Sequence, residues 1–532
     1  MFLNADVRRR SLGALAETMG KGESKEKKIR RLPWMVLGSS AVLILVITGC
    51  TVGPNYRPPD LSGYTKQAWH AASLEGSQAL DGQAQPMTAW WRQFKDQELR
   101  SLVERLVGSN VALAEARERI VQSRARRGIV NADHLPQIDL TANYARVGTG
   151  KEAVSFQGPP PGEEVNLYAA GVIAGWELDL WGRVGRLVEA ADAQIEASYA
   201  DYHDMMVSLA AELTLAYIDA RTLRARLNMV GRNIALQEKT LDLSETRYRA
   251  GTGTQLQIAQ SKQLLESTRA LIPEYQRALT VAENRINVLL GQPPGAKVLK
   301  PGPLPSVPPL IGIGLPVDLL VRRPDIRGAE RRYAAAVAQI GAAEADRYVR
   351  LSLSGTLSLQ TDTSSALLDK DGLIYMLGPG LQFPLFSGGR IRSNIQVRQS
   401  QAEQRRLALE QKILEALSEV ENAAAGVIRS QEQVINLTAS EKAAQQSVHL
   451  ANNLYRAGLG DFFQVIDAEE KLVAVQEKLL LARRGALAQV VQLYRALGGG
   501  WQVLECPDSD RAPMGKPTYP GPHNTASGAA AR

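Results

Sequence analysis

The segment Tyr248-Arg249-Ala250-Gly251 recurs as Tyr455-Arg456-Ala457-Gly458, 207 residues further along the chain. The frame holds without a gap: Gly253 meets Gly460, Gln257 meets Gln464, Leu265 meets Leu472, Arg277 meets Arg484, and Leu290-Gly291 meets Leu497-Gly498. Upstream, Arg183 meets Arg390 and Glu212 meets Glu419. Four consecutive identities inside so long a gapless frame mark two copies of one structural unit. Each copy reads as helix, strands, very long helix, Gly turn and helix.

After the second turn, Ile466, Val473, Leu480, Leu487 and Tyr494 fall at strict sevens, beside Val465, Leu472, Leu479, Ala486 and Leu493. The first copy repeats the latter stripe as Ile258, Leu265, Ile272, Leu279 and Ile286. A single such stripe also fits a helix facing a globular core, whereas a sustained seven-residue period in both copies favours a coiled-coil wall. Pro273 has Leu480 as its counterpart and predicts a kink in the first copy alone. The helices running into the turns extend from about Gly185 to Ala250 and from about Gly389 to Ala457, each ~100 Å long at 1.5 Å per residue. Gly251/Gly253 and Gly458/Gly460 can supply positive φ for sharp reversals. The expected product is two antiparallel helical hairpins per chain.

Between the helices the period switches to two. Leu351, Leu353, Gly355, Leu357 and Leu359 alternate with Ser352, Ser354, Thr356, Ser358 and Gln360, and Ile138, Leu140, Ala142 and Tyr144 alternate with Gln137, Asp139, Thr141 and Asn143. At ~10 residues these match a tilted transmembrane strand. Partners are expected at about Asn166–Leu180 and Ile374–Phe386, with Trp176, Trp181 and Phe386 suited to an aromatic girdle. The segments Gly148–Glu164, with its Gly158-Pro159-Pro160-Pro161-Gly162 run, and Thr361–Gly372 read as exposed loops. Any one strand taken alone also fits a half-buried soluble hairpin. Four strands cannot close a barrel in lipid, because open edges leave backbone groups unpaired. Three chains would supply 12 strands and six helical hairpins.

The 532 residues are 45% hydrophobic and 22% charged, outside the range of disordered chains, and the 5% aromatic content accompanies a helix-rich composition. The net charge of +7 is concentrated at the start: residues 1–49 hold nine Lys/Arg against four Asp/Glu, leaving +2 for the rest. There the Arg residues are interleaved with Glu and Asp, so no basic patch for nucleic acid emerges. Leu32 to Gly49 carries no charge, and its apolar core, Val36–Ile47, is short for a membrane-spanning helix. The basic start, short apolar run and Thr48-Gly49 before Cys50 resemble a bacterial lipobox, which implies cleavage before Cys50 and its acylation; an ordinary signal peptide with an incidental Cys is the alternative. Thr51, rather than Asp, fits onward transport to the outer membrane, and Met19 could be the true start. If Cys50 carries lipid, no disulfide partner remains for Cys506, which lies in a Pro/Gly/Ser/Ala-rich tail.

Taken together, these residues resemble the TolC-like outer-membrane factor family, in its lipoprotein branch of OprM/NodT-type efflux channels. The carriers are Cys50-Thr51-Val52-Gly53-Pro54-Asn55-Tyr56 with Pro58-Pro59, Leu320-Val321-Arg322-Arg323-Pro324-Asp325-Ile326-Arg327 with Ala329-Glu330, Tyr455-Arg456-Ala457-Gly458, and Leu497-Gly498-Gly499-Gly500-Trp501. One departure is Val349-Arg350, where a strand-initiating Pro like Pro136 is expected. The resemblance implies a mostly α fold with transmembrane β: a homotrimer whose 12-stranded β-barrel continues into an α-helical barrel. It also implies a periplasmic adaptor and an inner-membrane transporter as partners, and no cofactor beyond the covalent lipid on Cys50. On this reading residues 1–49 are the signal peptide, 50–90 the lipid-anchored extension, 91–300 and 301–500 the two repeats, and 501–532 a flexible tail.

A conduit through the periplasm must constrict at its tip. Phe463, Asp467 and Glu470, at i, i+4 and i+7, share a helix face. By resemblance Phe463 matches the apolar gate position and Asp467 the acidic ring, while Glu470 stands where Arg is often found; two stacked carboxylate rings favouring cations are the expectation. Solvated helix-face acids are the simpler alternative. The first-copy equivalents Leu256, Gln260 and Gln263 are uncharged, so only the second hairpin is expected to bear the charged constriction. The tips, with Arg249, Gly251, Gly253, Arg456, Gly458 and Gly460, are the candidates for adaptor docking.

Enzyme readings find little footing. The five His residues (His70, His134, His203, His449, His523) are dispersed, without a metal-ligand pair. His203 near Met205-Met206 could suggest a soft-metal contact, but a helix-packing cluster is the favoured reading. Gly148-Thr149-Gly150-Lys151 lacks the remaining elements of a phosphate loop, and no Gly-x-Ser-x-Gly occurs. Two other functions remain open at this level: the outer-membrane conduit of a type I protein-secretion system, and a lipid-anchored periplasmic scaffold without a pore.

Overall fold

A computed structural model of the chain describes residues 51–60, 62–65, 69–70, 80–81, 87–152, 160–308, 311–313 and 322–504. The signal segment, Cys50, Leu320-Val321, part of the Pro-rich loop and the tail with Cys506 lie outside the described residues.

The first copy comprises α1 (Gln97–Ser109), α2 (Val111–Ala132), β1 (Gln137–Gly148), β2 (Glu164–Leu178), α3 (Arg183–Arg249), α4 (Gln255–Arg269) and α5 (Leu271–Leu289). The second comprises α6 (Pro324–Ala345), β3 (Arg350–Thr361), β4 (Leu373–Gln382), α7 (Arg390–Arg456) and α8 (Phe462–Ala496), followed by the short α9 (Trp501–Leu504). The duplication is visible in the lengths: α3 and α7 each have 67 residues, and α2 and α6 each have 22. The long helices start at corresponding glycines in the left-handed region, Gly182 (φ 73°) and Gly389 (φ 84°). Asn110 organises the α1–α2 corner: its side chain accepts from the Leu113 N–H at 3.0 Å and donates to the Leu289 carbonyl at 2.8 Å.

Pro273 lies in the first turn of α5, where the first copy's helix is interrupted. The helical ladder breaks between α4 and α5 at Ala270, although that residue keeps helical angles (φ −62°, ψ −19°). Proline has no N–H for the carbonyl four residues back. In the second copy, with Leu480 in that place, α8 runs unbroken for 35 residues.

The four strands form one antiparallel sheet in the order β1-β2-β3-β4, so that the hairpins of the two copies join through β2 and β3. The register places Leu140, Val172, Leu357 and Tyr375 in one row, and Thr141, Gly171, Ser358 and Ile374 in the next. One face is therefore apolar through its middle rows and the other mainly small or polar, with Val147, Val165, Leu167, Ile173, Ile374 and Met376 as departures. Neither face is covered within one chain, and on the apolar face Leu140 is 82% exposed. At Gly171 a Cβ would stand 2.4 Å from that of Ser358, so only glycine permits this strand approach. β1 and β4 are open edges of this sheet.

Two expected strands end early. β2 stops at Leu178 rather than Leu180, and β4 at Gln382 rather than Phe386. Pro384 and the glycines leading into α7 end the second pairing. Trp176 and Trp181 stand at the helix end of the sheet, their indole N–H groups donating to the His134 and Val349 carbonyls at 2.9 and 2.8 Å. The latter bond and the Arg350–Asp346 pair at 2.6 Å fix the start of β3, where the expected proline is missing.

The main core lies midway along the long helices. Trp90 stacks on Tyr494 at 5.3 Å, among buried Trp91, Phe94, Leu99, Leu213, Leu409 and Val490. Burying each such side chain contributes roughly 1.5–3 kcal/mol. His203 stacks on Trp501 at 4.3 Å, a packing role.

Candidate functional site

The tips of the two hairpins are built alike. In the first, the Gly251 N–H donates to the Tyr248 carbonyl at 3.0 Å and Thr252 N–H to that of Arg247 at 2.9 Å; in the second, Gly458 donates to Tyr455 at 3.1 Å and Leu459 to Leu454 at 2.9 Å. This paired closure needs a left-handed residue, and Gly251 and Gly458 have φ of 74° and 75°. Gly253 and Gly460, also expected to supply positive φ, do not. They are small for a different reason: a Cβ at Gly253 would lie 2.9 Å from the Tyr248 nitrogen, and one at Gly460 2.9 Å from the Leu454 Cβ. Thr254 and Asp461, again 207 residues apart, cap the returning helices, accepting from the Gln257 N–H at 3.4 Å and the Phe463 N–H at 3.3 Å.

Arg249 and Arg456 are exposed at these turns. The residue that joins the tips is Arg247, which donates to the Tyr455 and Arg456 carbonyls at 2.8 and 3.2 Å and lies over the Tyr455 ring at 4.2 Å. Above it a seam between α3 and α8 is held by polar pairs. Asp219 accepts from Arg484 at 2.7 Å and Gln476 from Asn233 at 2.9 Å. Glu477 accepts from Arg226 and from Tyr275.

The structure brings Phe463, Asp467 and Glu470 onto one uncovered face of α8, Phe463 being 61% exposed. Asp467 accepts from Lys471 at 2.7 Å, one turn along, which compensates its charge within the chain. Glu469, between Asp467 and Glu470 in sequence, points the opposite way into the seam and is 1% exposed. Its Oε1 accepts from Thr240 at 2.6 Å.

At the far end of the helices, Thr51 packs against Gly182, and the Val52 N–H donates to the Trp181 carbonyl at 3.1 Å. Arg186 donates to the carbonyls of Val52 and Gly53 at 3.1 and 3.2 Å and to Asn55 at 2.7 Å. Gly53 (φ 90°) sits on Gly341 of α6, with Tyr56 edge-on to Tyr333. The segment after Cys50 is thus clasped across helices of both copies, at the sheet-to-helix junction.

The Arg-Arg-Pro-Asp-Ile run is a structural lock rather than a ligand site. Arg323 donates to Asp325 at 3.0 and 2.7 Å, to Glu419 at 2.7 Å and to the Ala496 carbonyl at 2.7 Å, tying α6 to α7 and to the end of α8. Burial opposes its charge, but these carboxylates raise its pKa on balance. Burial likewise pushes Asp325 up, and Arg323 outweighs it to hold the carboxyl below its ordinary value.

Arg247 and Glu469 were not anticipated as contacts. Arg247 serves backbone carbonyls, which leave no sequence signature. Glu469 does carry one: Val465, Glu469, Leu472, Gln476 and Leu479 follow the alternating four-three spacing of a seam. No described helix is long and apolar enough to cross a membrane.

Comparison with known proteins matches this architecture. The family model described as "Outer membrane efflux protein" matches residues 102–292 and 315–499, one stretch per copy. Nodulation protein T of Rhizobium leguminosarum bv. trifolii is 29% identical over 465 residues, covering 86% of this chain and 96% of that protein. Outer membrane protein OprJ of Pseudomonas aeruginosa is 30% identical over 471 residues, covering 87% and 96%. Among solved structures, the outer-membrane channel OprN aligns with a TM-score of 0.77 at 33% identity, over 85% of this chain and 100% of that one. CusC aligns with a TM-score of 0.72 at 25% identity, over 85% and 100%. The duplicated hairpins, the edge-open sheet and the matches in both copies lead to one conclusion: the chain belongs to the outer membrane efflux protein family.

Proposed function

We propose that three copies of this chain close their sheets into a 12-stranded barrel and their hairpins into a helical tunnel. The result is the outer-membrane channel of a tripartite efflux system. The observation that carries this reading is the four-stranded sheet with an uncovered apolar face and two open edges. In lipid its edge groups need strand partners, and β4 of one copy beside β1 of the next supplies them. Relatives bear on the cargo: one is a pyoverdine export protein of Pseudomonas aeruginosa, another a cation efflux protein of Escherichia coli. These names favour small solutes over the type I protein-secretion alternative. The chain is then a passive conduit rather than an enzyme, and the energy comes from an inner-membrane transporter reached through a periplasmic adaptor at the tips.

Lipid on Cys50 fits the clasp at Thr51–Tyr56, which would hold an acyl chain beside the ends of the strands. Phe463, Asp467 and Glu470 are the gate. Purified protein is expected to run as a heat-modifiable trimer and to conduct in planar bilayers, with Asp467→Ala raising the closed-state conductance. A non-conducting single subunit would support the scaffold instead.

A further inference from the structure

We propose that Glu469 is a proton-controlled latch in the α3–α8 seam: neutral, it lets the two hairpins pack; ionised, it drives α8 away from α3 near the tip. This inference rests on the conduit reading and adds the control of its gate.

The geometry is that of a carboxyl group with nowhere to place a charge. Glu469 is 1% exposed, Oε1 accepts from Thr240 at 2.6 Å, and Oε2 is buried without a hydrogen-bond partner. One turn away on α3, Gln237 is also buried, with both amide atoms lacking partners. Beside it in the seam lies an apolar cluster of Leu236 on α3, Val448 and Ala451 on α7, and Ala468 and Leu472 on α8, with the Asn452 amide of α7 also near the carboxyl. Among the described residues no cation faces the group. Lys239 and Asp242 on α3, Lys262 on α4, His449 on α7, and Glu470 and Lys471 on its own helix are all exposed. At the equivalent place in the first copy stands that exposed Lys262, so a buried acid belongs to the second hairpin alone. An unpaired buried carboxylate is costly enough that the group takes up a proton or reaches water.

Burial raises the pKa of Glu469, while the Thr240 hydroxyl and the nearby Asn452 amide, which itself donates to the Val448 carbonyl at 3.2 Å, lower it to a smaller extent. The sign follows. The packed seam binds the proton more tightly than a parted, hydrated seam. Packing is therefore fully stable below the ordinary glutamate value and weakens as pH rises through the elevated one. Phe463, Asp467 and Glu470 ride on the same helix, so moving α8 moves the gate.

The test uses the full-length purified protein, with two readouts. Infrared titration should show a protonated-carboxyl C=O band persisting above the ordinary glutamate range and missing in Glu469→Gln. Thr240→Val, which removes a donor to the ionised form, should move its midpoint up by about half a pH unit. In planar bilayers, closed-state conductance should rise with pH across that titration in the native protein, and Glu469→Gln should stay at the low-pH level. A native band identical to that of Glu469→Gln, or a pH profile that survives the substitution, overturns the latch; in the second case the dependence passes to the exposed acids and the conduit reading stands. Absence of conductance at every pH, with the infrared titration as expected, instead removes the conduit reading.

Discussion

Asp204 on α3 lies beside the Arg323–Asp325 lock. Burial and the Asp325 carboxylate, with a further push from Asp201, outweigh Arg323 and Lys412 and bring it up to about 6. A carboxyl raised above its unfolded value of ~3.9 stabilises the fold while it holds its proton. That contribution is complete below about pH 4 and declines by roughly 1.4 kcal/mol per pH unit until the folded-state value is passed. Thermal unfolding in detergent should therefore show the native protein losing stability between pH 4 and 6, with Asp204→Asn flattening that part of the curve. At this scale the sequence was legible where side chains follow helical spacing. Phe463, Asp467 and Glu470 fall on one face because four and three residues make nearly one turn each. It was not legible where charge misleads: Glu469 looks like a solvated acid until the apolar residues three and four positions away assign it to the seam.

For single elements, the two glycines of each tip separate into two physical demands. Gly251 has a left-handed backbone and nothing within 4 Å of its would-be Cβ, whereas Gly253 has an ordinary backbone pressed against residues 247 and 248. Gly251→Ala should cost about 1–2 kcal/mol, and Gly251→Asn noticeably less, because Asn visits the left-handed region. At Gly253 the order reverses, Asn being at least as disruptive as Ala, since the obstacle is space. Hydrogen exchange of residues 246–260 in the four variants reads this difference. The turn was evident in the sequence as a repeated Gly-x-Gly, but composition does not reveal which glycine carries the strain. The long helices and Pro273 were legible because period and a missing N–H act locally. The strand end at Leu178 was not, since its pairing partner Leu351 belongs to the other copy, and that at Gln382 depends on its register with Arg350.

Across the whole molecule, duplication fixes the architecture and leaves two strand edges unpaired within one chain, which on the proposed reading neighbouring copies cover. The tips carry both an observed structural bond and the surface proposed for docking. Arg247 bonds backbone across the hairpins, whereas Arg456 presents its side chain outward. Arg247→Ala should loosen the tips and raise conductance without changing the trimer. Arg456→Glu should lower crosslinking to the adaptor at least severalfold while trimers and conductance persist; loss of the trimer would make Arg456 structural. The Arg247 bridge also limits how such a chain can diverge. It spans the two hairpins only because α3 and α7, both 67 residues, descend equally far from the sheet. An insertion in one repeat alone would leave one tip hanging below the other and slide every seam pair out of step. Lineages that lengthen or shorten this stalk must therefore change both halves of the gene together, in whole heptads, so indel history should be correlated between repeats even where their residues no longer are.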